Sequence, residues 1–361
     1  MLCIAAFIVL LVLSAVSAKY RKLLGRAWNC TLHRVTFRAC DTTFREDIKS
    51  SILAPVAVRA PRLVKPASIT IEVLAWVMVL SMIVSLYIVG RSGLNLFVYG
   101  TCDKQNAQAC TLSSQACSID AAQPGFWQSV GKGDVIGAFG NEFASVGDTI
   151  ATIPSRLRHW DAADYRPSHA TYAREYRSGD PVALEVLDPG CRFCAQLFRN
   201  IERSGFDQTH NLTYIAYPIK AETGYKFQNS PLVASYLAAM QLHPLDDTSA
   251  TDGASADWYV LKQLFTGERA DHVQWQDWMN GASRSDATAQ LQTWMRQAGY
   301  TDAQVHTIAQ ESRSAQVKRI LAEHRRIVED RIHTVKIPSL IANGGLHSGL
   351  VSVDDLKGMK K

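Results

Sequence analysis

Cys191-Arg192-Phe193-Cys194 is the stretch of this 361-residue chain whose residue types and spacing best suit covalent chemistry. Two residues between the cysteines bring both sulfurs within reach of one disulfide. Pro181 to Leu187 is a short apolar run that reads as a buried strand. Asp188-Pro189-Gly190 reads as a turn. From Cys191 to Arg203 the spacing is helical, with Cys194, Leu197, Phe198 and Ile201 on one face and Gly205 to stop the helix. The first cysteine then sits at a helix N-terminus, where unpaired N–H groups and the macrodipole favour thiolate. The second lies one turn further in and is more buried. Cys191 is therefore the expected attacking thiolate and Cys194 the residue that resolves a mixed disulfide. Arg192 adds a positive charge beside the first sulfur. A zinc site needs four ligands, and no second C-x-x-C exists; Cys102, Cys110 and Cys117 have longer spacings. A disulfide with a purely structural role gains little from closing so short a loop.

The elements that must position this pair follow in order. Leu212 to Ile219 is a second strand, so strand, turn, helix and strand form a βαβ unit with a parallel pair. The next 110 residues or so read as helices: Pro231 to Leu242, Asp257 to Phe265, His272 to Met279, Asp286 to Gln297, and one long helix from Asp302 to about Thr334. Pro338 to Ala342 is a short strand, Asn343-Gly344-Gly345 a turn, and Val353 to Lys360 a closing helix with Ser352 as its N-cap. The chain carries no metal, nucleotide or flavin motif, so the expected redox group is the Cys191–Cys194 dithiol itself, without a further cofactor.

Over residues 180 to 361 the chain resembles the thioredoxin superfamily, and within it the DsbA-like thiol–disulfide oxidoreductases of the bacterial periplasm. The residues that carry the resemblance are the C-x-x-C after a strand, Glu185 six residues before it, the helical block, and Ile337-Pro338 ahead of the strand SLIA. The resemblance implies an α/β thioredoxin-like fold with a helical insertion over about 225–334. It implies that Glu185 is a buried acid exchanging protons with Cys194; the apolar residues around Glu185 also favour a raised pKa. It implies a cis bond before Pro338, facing the C-x-x-C, with Arg192, Phe193 and Ile337 towards substrate and a backbone able to pair with an extended substrate segment. The Arg-Phe dipeptide is neither the Pro-His of strong oxidants nor the Gly-Pro of thioredoxins, and Ile before Pro is the thioredoxin-like choice. These letters assign no direction of electron flow.

The chain is 47% hydrophobic and 20% charged, with Lys+Arg 38 against Asp+Glu 33 and a net charge of +5. The apolar fraction excludes a disordered chain. Leu2 to Ala18 is an apolar run at the short limit for a membrane span, and Val73 to Gly90 is a second. Lys19, Arg21, Lys22 and Arg26 follow the first run and no base precedes it, the reverse of a secretory signal, so residues 1–18 read as an uncleaved anchor. Between Lys19 and Lys65 eleven bases face three acids. A short basic loop stays in the cytoplasm, so everything after Arg91 is expected outside. That remainder has 27 bases and 29 acids, which is no footprint for nucleic acid.

The expected organisation is an anchor over 1–18, a basic cytoplasmic loop over 19–68, a transmembrane helix over 69–90, an extracytoplasmic segment of unclassified fold over 91–178, and the thioredoxin-like domain over 179–361. In the unclassified segment Gly125 to Gly147 is Gly-rich, Val146 to Trp160 suits a short amphipathic helix interrupted at Pro154, and Asp161 to Ser178 reads as a linker. Five cysteines are expected on the extracytoplasmic side, an odd number. A structural disulfide between two of Cys102, Cys110 and Cys117 is expected, with a relay of electrons to the C-x-x-C as the alternative. The functional expectation is a thiol–disulfide oxidoreductase anchored in a bacterial inner membrane. It acts on extracytoplasmic proteins with a redox partner that the sequence does not name. The alternative is a structural or binding component of an envelope-spanning secretion or conjugation assembly.

Overall fold

The computed structural model describes residues 61–104, 106, 115–119 and 125–360, with a few single positions between 25 and 58. The chain divides into two compact units, Met1–Gly90 and Arg91–Lys361.

In the first unit the sequence run at Val73 to Gly90 lies within a longer helix, α1 (Val64–Tyr99), whose last turns belong to the second unit. Its most apolar 18-residue window has a mean hydropathy of 2.4 and is 11% buried. At 1.5 Å per residue the helix is long enough to cross a bilayer. It outruns the expected 69–90 because nothing between Arg91 and Tyr99 stops a helix: Ser92, Gly93 and Asn95 interrupt the apolar pattern without breaking the backbone. Leu2 to Ala18, the first expected span, and most of the basic loop lie outside the described residues.

In the second unit more than half of the described residues of the unclassified segment are helical. The segment holds β1 (Cys117–Ser118), α2 (Phe126–Gly131) and α3 (Val135–Leu157). α3 starts eleven residues before the helix read from Val146, because the Asp134 carboxylate caps it by accepting from Gly137 N–H at 2.8 Å. Pro154 lies near its C-terminal end, where the missing N–H costs little continuity. α3 is held to the end of α1 by Arg91–Glu142 at 2.8 Å and Thr149 Oγ1 to Asn95 Oδ1 at 3.2 Å.

The α/β part is built on a four-stranded sheet of β2 (Val182–Leu187), β3 (Asn211–Ala216), β5 (Ser339–Ala342) and β6 (Gly345–Ser348), in the order β3-β2-β5-β6. β2 pairs parallel with β3 and antiparallel with β5, and β5 pairs antiparallel with β6. β2 and β3 are buried along nearly their whole lengths, which is why their sequences read as mostly apolar runs, broken by Glu185 in β2 and Thr213 in β3, without an inside-outside alternation. β4 (Lys336–Ile337) pairs instead with β1. Pro338 separates β4 from β5 and has no N–H to offer either ladder.

α4 (Arg192–Ser204) follows β2 and buries Phe193, Cys194, Leu197, Phe198 and Ile201. Gly205 ends it in the left-handed region at φ 65. The helical block comprises α5 (Ser230–Gln241), α6 (Ala256–Thr266), α7 (Trp275–Gly281), α8 (Arg284–Gln297), α9 (Asp302–Glu311) and α10 (Ala315–Arg326), and α11 (Val353–Gly358) closes the chain. The single helix read over 302–334 is divided. Ser314 caps a new helix, α10, by accepting from Val317 N–H at 3.1 Å, and a π-helical turn covers Ile327–Ile332.

Candidate active site

The cysteine loop between β2 and α4 is held from below by one carboxylate. Asp188, fully buried, accepts from Gly190 N–H at 2.7 Å, from Ile219 N–H at 2.7 Å and from the Ser230 hydroxyl. Burial pushes its pKa from 3.8 up to about 6, against the pull of those donors and of Lys226. From above, Gln276 Nε2 donates to Pro189 O at 2.8 Å and to Cys191 O at 3.1 Å, and Asn280 Nδ2 donates to Gly190 O at 3.0 Å. Gly190 must be glycine, because a Cβ there would stand 2.3 Å from Phe227 Cβ. Sequence reading assigned Asp188 only to a turn. A charged residue at the end of a strand that is apolar apart from Glu185 was its one signal. Gln276 and Asn280 gave none, since their partners lie some 85–90 residues away.

Cys191 is the N-cap of α4, and Cys194 lies one turn in with its N–H donating to Cys191 O at 2.9 Å. Cys194 is a free, fully buried thiol whose sulfur accepts from Asp188 N–H at 3.4 Å. Its pKa is raised well above that of an ordinary thiol, first by burial and then by the charge of Glu185. Glu185 sits in the middle of β2, opposite Tyr214 of β3 and Leu340 of β5. It is fully buried, and neither carboxyl oxygen has a hydrogen-bond partner among the described residues. Burial raises its pKa from 4.5 to about 8. Near neutrality such a group is poised to take or give a proton.

The peptide bond Ile337–Pro338 is cis, and Ile337 O lies 3.7 Å from Cys191 Sγ. Of the residues expected to face substrate, Arg192 is exposed, with its guanidinium 4.8 Å from the centre of the Phe193 ring, whereas Phe193 and Ile337 are buried. Ile337 is covered by the chain's own β1: Cys117 stands opposite Ile337 and Ser118 opposite Lys336.

Of Cys102, Cys110 and Cys117, two of which are expected to pair, Cys117 bonds outside the group. Its sulfur is bonded to Cys191, with Cα atoms 6.6 Å apart across 74 residues of sequence. The expected Cys191–Cys194 bond is accordingly not formed in this structure, and Cys194 keeps its thiol. The reason is spatial: β1 lays Cys117 over the Cys191 sulfur, a juxtaposition that cysteine spacing cannot encode. Cys102 is also disulfide-bonded, and Cys110 lies outside the described residues.

No family model and no curated protein matches the chain. It is similar to the solved structure of a thioredoxin-like oxidoreductase from Silicibacter pomeroyi, at 14% identity and a TM-score of 0.37 over 54% of this chain and 92% of that one. It is similar also to MdbA, a thiol–disulfide oxidoreductase from Corynebacterium diphtheriae, at 13% identity and a TM-score of 0.37 over 55% and 98% of the two chains. The thiol–disulfide exchange protein alpha-DsbA2 from Wolbachia pipientis gives 14% identity and a TM-score of 0.35 over 54% and 86%. The α/β part has a thioredoxin-like fold by its own sheet order β3-β2-β5-β6 and its cysteine pair at the start of α4, with a helical block between β3 and β4.

Proposed function

We propose that this chain is a membrane-anchored thiol–disulfide oxidoreductase acting on extracytoplasmic proteins through Cys191 and Cys194. The observation that carries the reading is the stacking of functions at the start of α4. A cysteine caps the helix, a free buried thiol lies one turn further in, and a buried carboxyl with no hydrogen-bond partner among the described residues lies on the strand beneath. The redox group is the cysteine pair itself. Cys191 thiolate, favoured by the helix N-terminus, attacks a client disulfide. One client sulfur leaves as thiolate and the other is bonded to Cys191. Cys194 gives its proton to Glu185 and attacks Cys191 Sγ, forming Cys191–Cys194 and releasing the second client thiolate. Run in reverse, the same steps oxidise a client dithiol, and the direction follows from the potentials of client and redox partner.

Anchoring by α1, with the α/β part on the periplasmic side of a bacterial inner membrane, is supported by the apolarity of that helix and by the +8 charge of the loop before it. The intact C-x-x-C and Glu185 favour exchange chemistry over a purely structural role in an envelope assembly. Cys194→Ala combined with Cys117→Ser, which keeps Cys117 from occupying Cys191, tests the reading. Cells expressing it are expected to accumulate covalent adducts between Cys191 and client proteins on non-reducing gels. Absence of adducts, together with no dithiol exchange by the wild-type protein, would contradict the assignment.

A further inference from the structure

Cys191 is the nucleophile of the proposed reaction, yet it is 0% exposed and its sulfur is bonded to Cys117. The segment that covers it, residues 115–119, is laid along the loop before Pro338 as an added antiparallel strand. Cys117 and Ser118 pair with Ile337 and Lys336, Ile119 N–H donates to Val335 O at 2.9 Å, and Gln115 O accepts from Leu350 N–H at 2.8 Å. Any peptide whose cysteine bonds Cys191 must run past Ile337, whose carbonyl oxygen lies 3.7 Å from that sulfur. Residues 115–119 therefore stand where a client would stand. The thiol that resolves such a bond, Cys194, is free and one helical turn away. A disulfide placed beside a free resolving thiol has an exchange route open to it.

We infer that Cys117 is a third redox-active cysteine and that residues 115–119 are an intramolecular client, so that the chain alternates between a covered form bonded Cys117–Cys191 and an open form bonded Cys191–Cys194. This rests on the exchange reading given above. Cys194 passes its proton to Glu185 and attacks Cys191 Sγ. The Cys191–Cys194 bond forms as the Cys117–Cys191 bond breaks. Cys117 leaves as a thiolate and takes a proton that Glu185 returns through solvent. One disulfide and one thiol stand on each side, so the step needs no outside oxidant or reductant. The ladder that holds the segment is two residues long, so few main-chain bonds oppose its departure. Once it leaves, the edge of β4 and the Cys191–Cys194 bond are open to an external protein.

The test uses the full chain in detergent, equilibrated in glutathione buffers, quenched with N-ethylmaleimide and digested without reduction, with the linked peptides identified by mass. Both linkages, Cys117–Cys191 and Cys191–Cys194, are expected in the wild type, and only Cys117–Cys191 in Cys194→Ala. Ile119→Pro keeps every cysteine but removes the N–H bonded to Val335 O, and is expected to shift the partition several-fold towards Cys191–Cys194. Cys117→Ser is expected to form only Cys191–Cys194 and to exchange with a disulfide-containing model protein several-fold faster than the wild type. A wild-type chain that forms only Cys191–Cys194, with Cys117→Ser exchanging at the wild-type rate, overturns the intramolecular client and leaves the exchange reading standing. A Cys117–Cys191 bond that never converts to Cys191–Cys194, at any buffer ratio or in Ile119→Pro, overturns the redox role of Cys117. No exchange with the model protein by either the wild type or Cys117→Ser overturns the exchange reading itself.

Discussion

The side-chain amide of Gln276 donates to the carbonyl oxygen of Cys191 at 3.1 Å, joining residues 85 apart in sequence. Gln276 belongs to α7, in the helical block, and is itself 5% exposed. The block is thus part of the mounting of the cysteine loop. It supplies the upper hydrogen bonds of a loop whose lower ones come from Asp188.

Gln276→Ala leaves two carbonyl oxygens, those of Pro189 and Cys191, without their buried donor. The expected cost is about 1–3 kcal/mol of stability. A several-fold fall in the rate of exchange with a disulfide-containing protein should accompany it, because the N-cap residue loses its fixed position. Denaturant unfolding of the full chain and stopped-flow exchange check the two effects.

Glu185 makes stability depend on pH. Its folded pKa is raised from 4.5 to about 8, so between those values the folded chain keeps a proton that the unfolded chain has released. Stability contributed by the neutral acid is present below pH 4.5 and is lost as pH rises towards 8, by up to about 1.4 kcal/mol per pH unit. Glu185→Gln carries no charge to bury. It is expected to flatten this slope and to be more stable than the wild type at pH 8, while its exchange slows for want of a proton acceptor. Asp188, with its pKa raised to about 6, has the same sign and keeps a falling slope between pH 3.8 and about 6 in both proteins. Unfolding midpoints measured from pH 4 to 9 separate the two contributions.

Asp188→Asn tests the lower support. Each Asp188 oxygen accepts a backbone N–H, Gly190 on one and Ile219 on the other. An amide must point its NH2 at one of these donors, a cost of about 1–3 kcal/mol, but it also removes the charge that burial disfavours, so the loss is expected at pH 4 and is expected to shrink or reverse above pH 6. Because the same carboxylate braces the cysteine loop, exchange should slow as well. Thermal unfolding together with exchange rates checks this.

Much of the site was legible because its signals are local. The C-x-x-C, the apolar strand before it, the helical spacing after it and Gly205 at φ 65 all lie within some 25 residues. What escaped depends on contacts made far along the chain. The partner of Cys117 is set by β1 lying along β4, 74 residues from Cys191, and cysteine spacing is silent on connectivity. The break in the helix read over 302–334 turned on the side chain of Ser314 capping α10, an interaction that apolar periodicity does not register. In the Gly-rich stretch before Gly147, Asp134 started a helix that composition argued against.

The most direct measurement is the rate at which purified full chain exchanges with a disulfide-containing model protein in glutathione buffer, wild type against Cys191→Ser. Exchange that is readily measured in the wild type and falls to background in Cys191→Ser is the expected result. Exchange by Cys191→Ser at the wild-type rate would contradict the assignment of the dithiol as the working group.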